Sequence, residues 1–411
     1  MAHLAINSGK AIRERPFPTW PQWDDRERRN LLEVLETGKW WYGEKVREFE
    51  DRFAAYHDAQ FGITTTSGTT ALHAALVAAG VTAGDEVILP PYTFVATATA
   101  VMLSNGIPIF VDVEADTFNI DPQKVEEAIT PRTKAIVPVH FAGLPVELDR
   151  IRAIAKQHHL RVIEDAAHAW GTEWKGTKVG ALGDLGCFSF QASKNITAGE
   201  GGITLTNNED LADRCRSFTN CGRGKGRPWY EHHITGTNYR MTEFQAAILL
   251  AQLERLDEQT IIRERNARFL DEHLSGMEGI RLLKNDLRVT RRSYHLYCLR
   301  YIKEEFGGIL KDRFIQALQA EGIPFSGGYP HPLYKNPMFR KGSGGKEDCP
   351  LSCPYYGVEV DYEAVNCPVC ETVCEEAIWT TQNVLLGTQE DMRDIVRVFE
   401  KVRRYADELA Q

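Results

Sequence analysis

The sequence predicts an α/β fold: a large domain built on a parallel sheet, followed by a smaller C-terminal α+β domain. Between residues 45 and 163, short β-rich runs alternate with helix-favouring runs, the pattern that a parallel crossover sheet imposes. A long helical run over 242–270 then stands as a spine between two stretches of different character. Composition allows each stretch a core, since the 411 residues are 43% hydrophobic and 26% charged.

The elements follow in order. Residues 45–56 form a helix, and Ser67-Gly68-Thr69-Thr70 opens another over 71–79, where alanine and leucine favour helix. Then come strand 86–89, helix 95–105, strand 107–111, helix 122–129, strand 135–139, helix 148–158 and strand 161–163. Two antiparallel, hairpin-like strands are expected at 186–190 and 202–206, ahead of the spine. The smaller unit has a strand near 294–301, a helix at 311–321 and a terminal helix at 389–409. The division falls at 1–265 and 266–411, and the Gly- and Lys-rich segment 341–348 reads as a surface loop.

A net charge of −9 and the lack of a dense basic block argue against nucleic acid as a main partner. Residues 1–17 mix charges with prolines and contain no apolar run of signal-peptide length. The weakly polar stretch 87–103 is broken by Pro90, Pro91 and several threonines, so no membrane helix is expected and a cytoplasmic location is. Nine cysteines fit reduced thiols in that setting. Five fall late: Cys349, Cys353, Cys367, Cys370 and Cys374. Their spacing would suit a thiolate zinc site, but Cys370 and Cys374, four apart, would share one helix face, and packing is the reading preferred. No metal is expected.

The chemistry concentrates between Glu164 and Gly202, in E-D-A-A-H-A-W-G and S-F-Q-A-S-K-N-I-T-A-G-E-G-G. Glu164 and Asp165 close a short strand at the edge where open α/β sheets bind ligands. Lys194 follows in a polar loop. An acid and a lysine so placed suit pyridoxal phosphate, whose aldehyde needs an amine and whose ring nitrogen stays protonated beside a carboxylate. Lysine fits because desolvation lowers its pKa and frees the lone pair. Singly, Asp165 also reads as a helix cap and Lys194 as a solvated loop residue.

Ser67-Gly68-Thr69 at a helix start is an anion site, with unpaired first-turn N–H groups at a positive dipole end, though a simple Ser N-cap reads almost as well. Ser189, five residues before the lysine, could reach the same anion. Phe94 stands at the ligand-binding end of the sheet, where a ring could stack, and His168 could cover the opposite face; core packing is the alternative for both.

Together these motifs resemble the DegT/DnrJ/StrS family of sugar aminotransferases. That resemblance rests on S-G-T-T-A-L at Ser67, P-Y-T-F-V-A-T at Pro91, E-D-A-A-H-A at Glu164, S-F-Q-A-S-K-N at Ser189, G-E-G-G at Gly199 and G-T-N-Y-R-M-T at Gly236. It implies the pyridoxal-phosphate-dependent transferase fold type I, related to aspartate aminotransferase, with a mostly parallel seven-stranded sheet. It implies Lys194 as the cofactor-bearing lysine, Asp165 as partner of the ring nitrogen, Phe94 and His168 as ring contacts, and Gly68, Thr69 and Ser189 as phosphate ligands. Asn238 would reach the phosphate from the other subunit, hence a homodimer with shared sites.

Family members that dehydrate sugars carry histidine in place of the lysine, so Lys194 points to transamination, with L-glutamate or L-glutamine as donor. Gln191, where nucleotide-sugar members usually have histidine, resembles the branch acting on keto-cyclitols and aminoshikimate-type rings. Trp40, Trp41, Tyr329 and His331 are expected acceptor contacts. The alternatives are a 3-amino-5-hydroxybenzoate-type synthase or dehydratase, a non-catalytic regulator of the same fold, and a zinc-binding module.

Overall fold

A computed structural model describes residues 3–340 and 353–409; the loop expected at 341–348 and Cys349 lie outside the described residues. The first half of the chain contributes β1 (Phe61–Thr65), β2 (Glu86–Leu89), β3 (Ile107–Phe110), β4 (Thr133–Ile136), β5 (Arg161–Asp165), the short hairpin β6 (Glu173–Trp174) and β7 (Thr177–Lys178), then β8 (Leu185–Ser189) and β9 (Gly202–Thr206). Seven of these form one sheet in the order β1-β9-β8-β5-β4-β2-β3. Only β9 runs against its neighbours; the remaining pairs are parallel. The mostly parallel seven-stranded sheet is therefore present. The pair read as a hairpin lies inside it, because β8 also pairs in parallel with β5.

The sheet is covered on both faces, which is why its strands are buried along most of their length instead of alternating. Helices α1 (Asp25–Thr37), α2 (Glu44–Tyr56), α3 (Gly68–Ala78), α4 (Ala96–Leu103), α5 (Pro122–Glu127), α6 (Leu148–Gln157) and α7 (Glu209–Thr219) precede the long α8 (Glu243–Leu274). One core packs α3, α4 and α7 against the sheet. A second packs α2, α5, α6 and the first half of α8. The helix α8 starts sharply because Thr242 and Gln245 cap it reciprocally, and its second half belongs to a third core.

That third core lies under β10 (Ile280–Leu282), β12 (Leu296–Tyr301), β13 (Ser326–Gly327) and β14 (Ala377–Thr381), which form an antiparallel sheet in the order β10-β12-β14-β13. Helices α9 (Lys311–Ala320) and α11 (Gln389–Arg404) cover it. Two joints tie this unit to the part of the chain that carries the large sheet. The strand β11 (Val289–Arg291) pairs with β6. The helix α10 (Pro368–Glu376), which carries Cys370 and Cys374, packs into the core of the large sheet.

Asp112, just after β3, holds the start of α10: its carboxylate accepts from the Val369 N–H at 2.9 Å and the Cys370 N–H at 2.8 Å. The acid thereby satisfies orphan first-turn donors at the positive end of the helix. Among the described residues no helix is long and apolar enough to cross a membrane.

Sequence reading missed β1, α1, α7 and β14, whereas the helix face shared by the packed Cys370 and Cys374 is present in α10. The helix α1 is mostly polar, with Val34 its one buried apolar side chain, but Leu31, Val34 and Leu35 stand at helical spacing behind the Asp24–Glu27 capping box, so its signal is legible in the sequence. The terminal helix ends at Arg404 and continues as a 3-10 turn at Ala406–Leu409.

Replacing Asp112 by alanine is expected to lower stability by about 1–3 kcal/mol, the cost of stranding buried N–H donors. Thermal unfolding measures this; an unchanged midpoint would mean that α10 is held by its packing alone.

Candidate active site

The carboxyl ends of β5 and β8 and the N-terminal ends of α3 and α4 enclose a cavity of about 570 Å³. Pleating sends the two acids at the end of β5 to opposite faces. Glu164 is fully buried away from the cavity, bonded to His140 Nε2 at 2.9 Å and to the N–H groups of Gly180, Leu182 and Gly183. Burial alone would raise its carboxyl, but His140 and those N–H donors outweigh burial and hold it below the usual range. Glu164 is thus committed to the fold.

Asp165 faces the cavity and is 5% exposed. Its Oδ2 accepts from Thr97 Oγ1 at 2.8 Å and its Oδ1 from the Ala167 N–H at 3.2 Å. Burial raises its carboxyl, opposed by these bonds and by Lys194. Lys194 lies in the turn after β8, with its N–H donating to the Gln191 carbonyl at 2.9 Å. Burial lowers its amine from 10.5 to about 8, with Asp165 opposing the shift. A substantial neutral fraction near pH 8 makes this lysine a nucleophile and a proton carrier.

The floor of the cavity is a cradle for an anion. Ser67 and Thr70 cap α3 reciprocally, and the N–H groups of Gly68 and Thr69 have no partner among the described residues. The helix start lies tight against the end of β8: a Cβ on Gly68 would come 2.7 Å from Ser189 Cβ. Gly202 is as close, since its Cβ would stand 2.2 Å from the Ser67 carbonyl oxygen. Glycine at both positions lets two loops converge on one small volume with the Ser189 hydroxyl beside it.

Phe94, 60% exposed, and the buried His168 both line the cavity. His168 Nδ1 accepts from the Ala142 N–H at 3.3 Å, which leaves the proton of the neutral ring on Nε2. Burial, reinforced by the Lys194 charge, pushes its pKa well down, so the ring stays neutral. Tyr329 lines the wall, edge-on to Trp379 and Tyr92.

Gln191 also lines the cavity, but its Oε1 accepts from the N–H and the Oγ of Ser193, both at 2.8 Å, and so shapes the lysine loop. Trp40, Trp41, His331 and Asn238 do not line it. Trp40 and Trp41 are 50% and 62% exposed, His331 is exposed, and Asn238 bridges the Asn220 backbone. Thr97, His295 and Trp379 line the cavity without having been anticipated. Thr97 ends the P-Y-T-F-V-A-T motif and was within reach of sequence reasoning. His295 and Trp379 come from the other sheet, and no local signal marks them.

Pyridoxal phosphate fits these residues. The paired loops offer N–H and hydroxyl donors to a phosphate. The buried Asp165 carboxylate has no arginine beside it and suits a ring cation, and Lys194 stands in the same cavity.

Comparison with known proteins agrees. Residues 21–378 match the model of the DegT/DnrJ/EryC1/StrS aminotransferase family. A putative L-glutamine:3-amino-2,3-dideoxy-scyllo-inosose aminotransferase of Streptoalloteichus tenebrarius is 39% identical, over 99% of this chain and 99% of that protein. An L-glutamine:2-deoxy-scyllo-inosose aminotransferase of the same organism is 37% identical, over 99% of each. The crystal structure of 3-amino-5-hydroxybenzoic acid synthase superposes with a TM-score of 0.84 at 35% identity, covering 96% of this chain and 100% of that one.

In cofactor-free protein, acylation of Lys194 is expected to follow a midpoint of about 8 instead of 10.5. Because the Asp165 carboxylate raises the amine pKa, Asp165→Asn should move that midpoint lower still. Peptide mapping after acylation across the pH range measures both, and a midpoint near 10.5 would contradict the desolvation of Lys194.

Proposed function

The chain belongs to the DegT/DnrJ/EryC1/StrS aminotransferase family and is a pyridoxal-phosphate-dependent aminotransferase, and on that premise we propose that it moves an amino group from L-glutamine or L-glutamate to a keto-cyclitol or keto-sugar. The observation that carries the proposal is the buried Asp165 sharing one cavity with the desolvated Lys194 above the cradle of Gly68, Thr69 and Ser189. The names of the similar aminotransferases favour L-glutamine and a keto-cyclitol.

Gly68, Thr69 and Ser189 would hold the phosphate, Asp165 the ring nitrogen, and Phe94 and His168 the two ring faces, with Lys194 bonded to the aldehyde carbon. When bound, the cofactor supplies an aldehyde that exchanges amine partners and a protonated ring that draws off electrons. Thr97 and the Ala167 N–H keep Asp165 aimed and ionised. Once the donor amine has displaced it from the aldehyde carbon, Lys194 Nζ would be free to take the α-proton of the donor in the first half-reaction. In the second it delivers a proton to the acceptor carbon that receives the nitrogen. The neutral His168 adds no charge to compete with the ring nitrogen for Asp165.

Tyr329 and Trp379 offer aromatic faces to a cyclic polyol, with Gln191 as a further acceptor contact, while Trp40, Trp41 and His331, outside the cavity of their own chain, would serve an acceptor only in the partner's site. Asn238 would serve the partner's site, making the protein a cytoplasmic homodimer. Its position outside its own cavity supports this, as do the exposed Trp229, Tyr230 and Ile234 earlier in the same segment. Two units, 1–265 and 266–411, joined through α8, draw support from the third core, into which Leu4, Ile6, Ile12 and Phe17 from the start of the chain also pack. A second reading, an aromatising synthase on the same cofactor, is favoured by the similarity to 3-amino-5-hydroxybenzoic acid synthase.

Lys194→Ala should abolish the visible band of the lysine-bound cofactor and slow transamination by roughly 10²–10⁴-fold, the usual worth of a positioned acid–base group. Protein loaded with pyridoxamine phosphate and offered keto-cyclitols and nucleotide keto-sugars should regain the aldehyde form with at least one; failure with all would overturn the transaminase assignment.

The subunit crossing has its own test. Asn238→Ala should weaken cofactor binding by about 10-fold, the cost of a charge-assisted bond. Hybrids of that variant with Lys194→Ala should recover one intact site, whereas an Asn238 acting within its own chain predicts no recovery.

A further inference from the structure

His295, just ahead of β12, reaches the active-site cavity from the start of the antiparallel sheet and packs at a tilt against His168, with ring centroids 4.3 Å apart at 37°. Its Nδ1 lies 3.1 Å from Asn195 Oδ1, and Asn195 directly follows Lys194. The amide cannot be turned round, because Asn195 Nδ2 donates to the Ser293 carbonyl at 2.8 Å. Oδ1 is therefore the acceptor, and His295 carries its proton on Nδ1. Ser293 closes the circuit: its Oγ donates to the His168 carbonyl at 2.8 Å. His168, His295, Asn195 and Ser293 are all buried.

We propose that His295 is a positioning residue for the transamination. Its ring backs His168 against the cofactor, and its Nδ1–H fixes Asn195 and hence the adjoining Lys194. The inference rests on the cofactor-binding reading above. Geometry is the argument. The lysine loop follows β8 of the large sheet and His168 follows β5, and neither is bonded to the other directly. His295 touches both, from a strand of the second unit. Trp170, edge-on to His295 at 5.6 Å, closes its other side, so the imidazole has little freedom to swing away. Losing the Nδ1–H would strand a buried acceptor on the residue next to the lysine, and relaxation of the loop is the way to relieve that cost. Burial also pushes His295 well below its ordinary pKa, reinforced by the adjacent His168 and Lys194; like His168, it serves as a neutral ring.

The test separates ring from hydrogen bond. His295→Phe keeps a ring and loses the donor, while Asn195→Ala loses the same bond from its other end. Cofactor-free protein is titrated with pyridoxal phosphate, and the loaded protein is followed by absorbance through one half-reaction with L-glutamine. Each variant should weaken the dissociation constant about tenfold and slow the half-reaction about tenfold at saturating donor, with donor KM within about twofold. The double variant should be no worse than Asn195→Ala alone, because Asn195→Ala already removes the bond that His295→Phe breaks, along with the Asn195–Ser293 bond.

A lowered unfolding temperature with unchanged dissociation constant and rate would reduce His295 to a structural residue and overturn the proposal, as would losses that multiply in the double variant. Should His295→Phe fail to fold, Asn195→Ser carries the same expectation. A parent protein that does not bind pyridoxal phosphate overturns the functional reading itself, whereas a parent that binds it beside unaffected variants overturns only the role of His295.

Discussion

Asp165 lies at the end of a central strand with its carboxylate almost wholly enclosed, and an enclosed charge costs several kcal/mol unless something compensates it. Two neutral donors, Thr97 Oγ1 and the Ala167 N–H, supply part of that compensation. Neither brings a positive charge. The cation comes from Lys194 within the chain and, in the loaded enzyme, from the ring nitrogen. Much of the surrounding structure can be understood as holding this carboxylate where it cannot be solvated.

The sheet order serves that end. Placing β5 between β4 and β8 puts Asp165 in the interior of the sheet, with the lysine loop leaving from the adjacent strand. Glu164, one residue earlier, points the other way and gathers His140 and the turn at Gly180 to Gly183, anchoring the strand on its far face. One acid braces the scaffold and its neighbour does the chemistry, a division that follows from the two-residue pleat of a strand. The same close packing makes the cradle: α3 starts against the end of β8 only because Gly68 has no side chain to collide with Ser189.

A second dependence runs between the two units. The cavity is walled on one side by His295, Leu296, Tyr329 and Trp379, all from the C-terminal part of the chain. Their position relies on the β6–β11 pairing and on α10, held at its start by Asp112. The site is consequently sensitive to how the smaller unit docks, and a residue far from the lysine in sequence can tune the lysine's surroundings.

The sequence by itself determined the alternating α/β architecture, the strand that ends in Glu164 and Asp165, the lysine and the phosphate cradle. Each is written in a short contiguous motif whose chemistry and spacing are local. It determined less about elements such as β1, five residues long with a glycine and two threonines, where burial comes from neighbours instead of pattern. Only the tertiary structure decided which of the two acids faces the cavity. It also decided that Gln191 braces the lysine loop through Ser193, that Trp40 and Trp41 stand away from the cavity of their own chain, and that His295 and Trp379 enter it. Apart from the Gln191–Ser193 contact, which lies within one turn, those outcomes depend on strand pairing and on residues distant in sequence meeting in space, which no local pattern of residue types encodes.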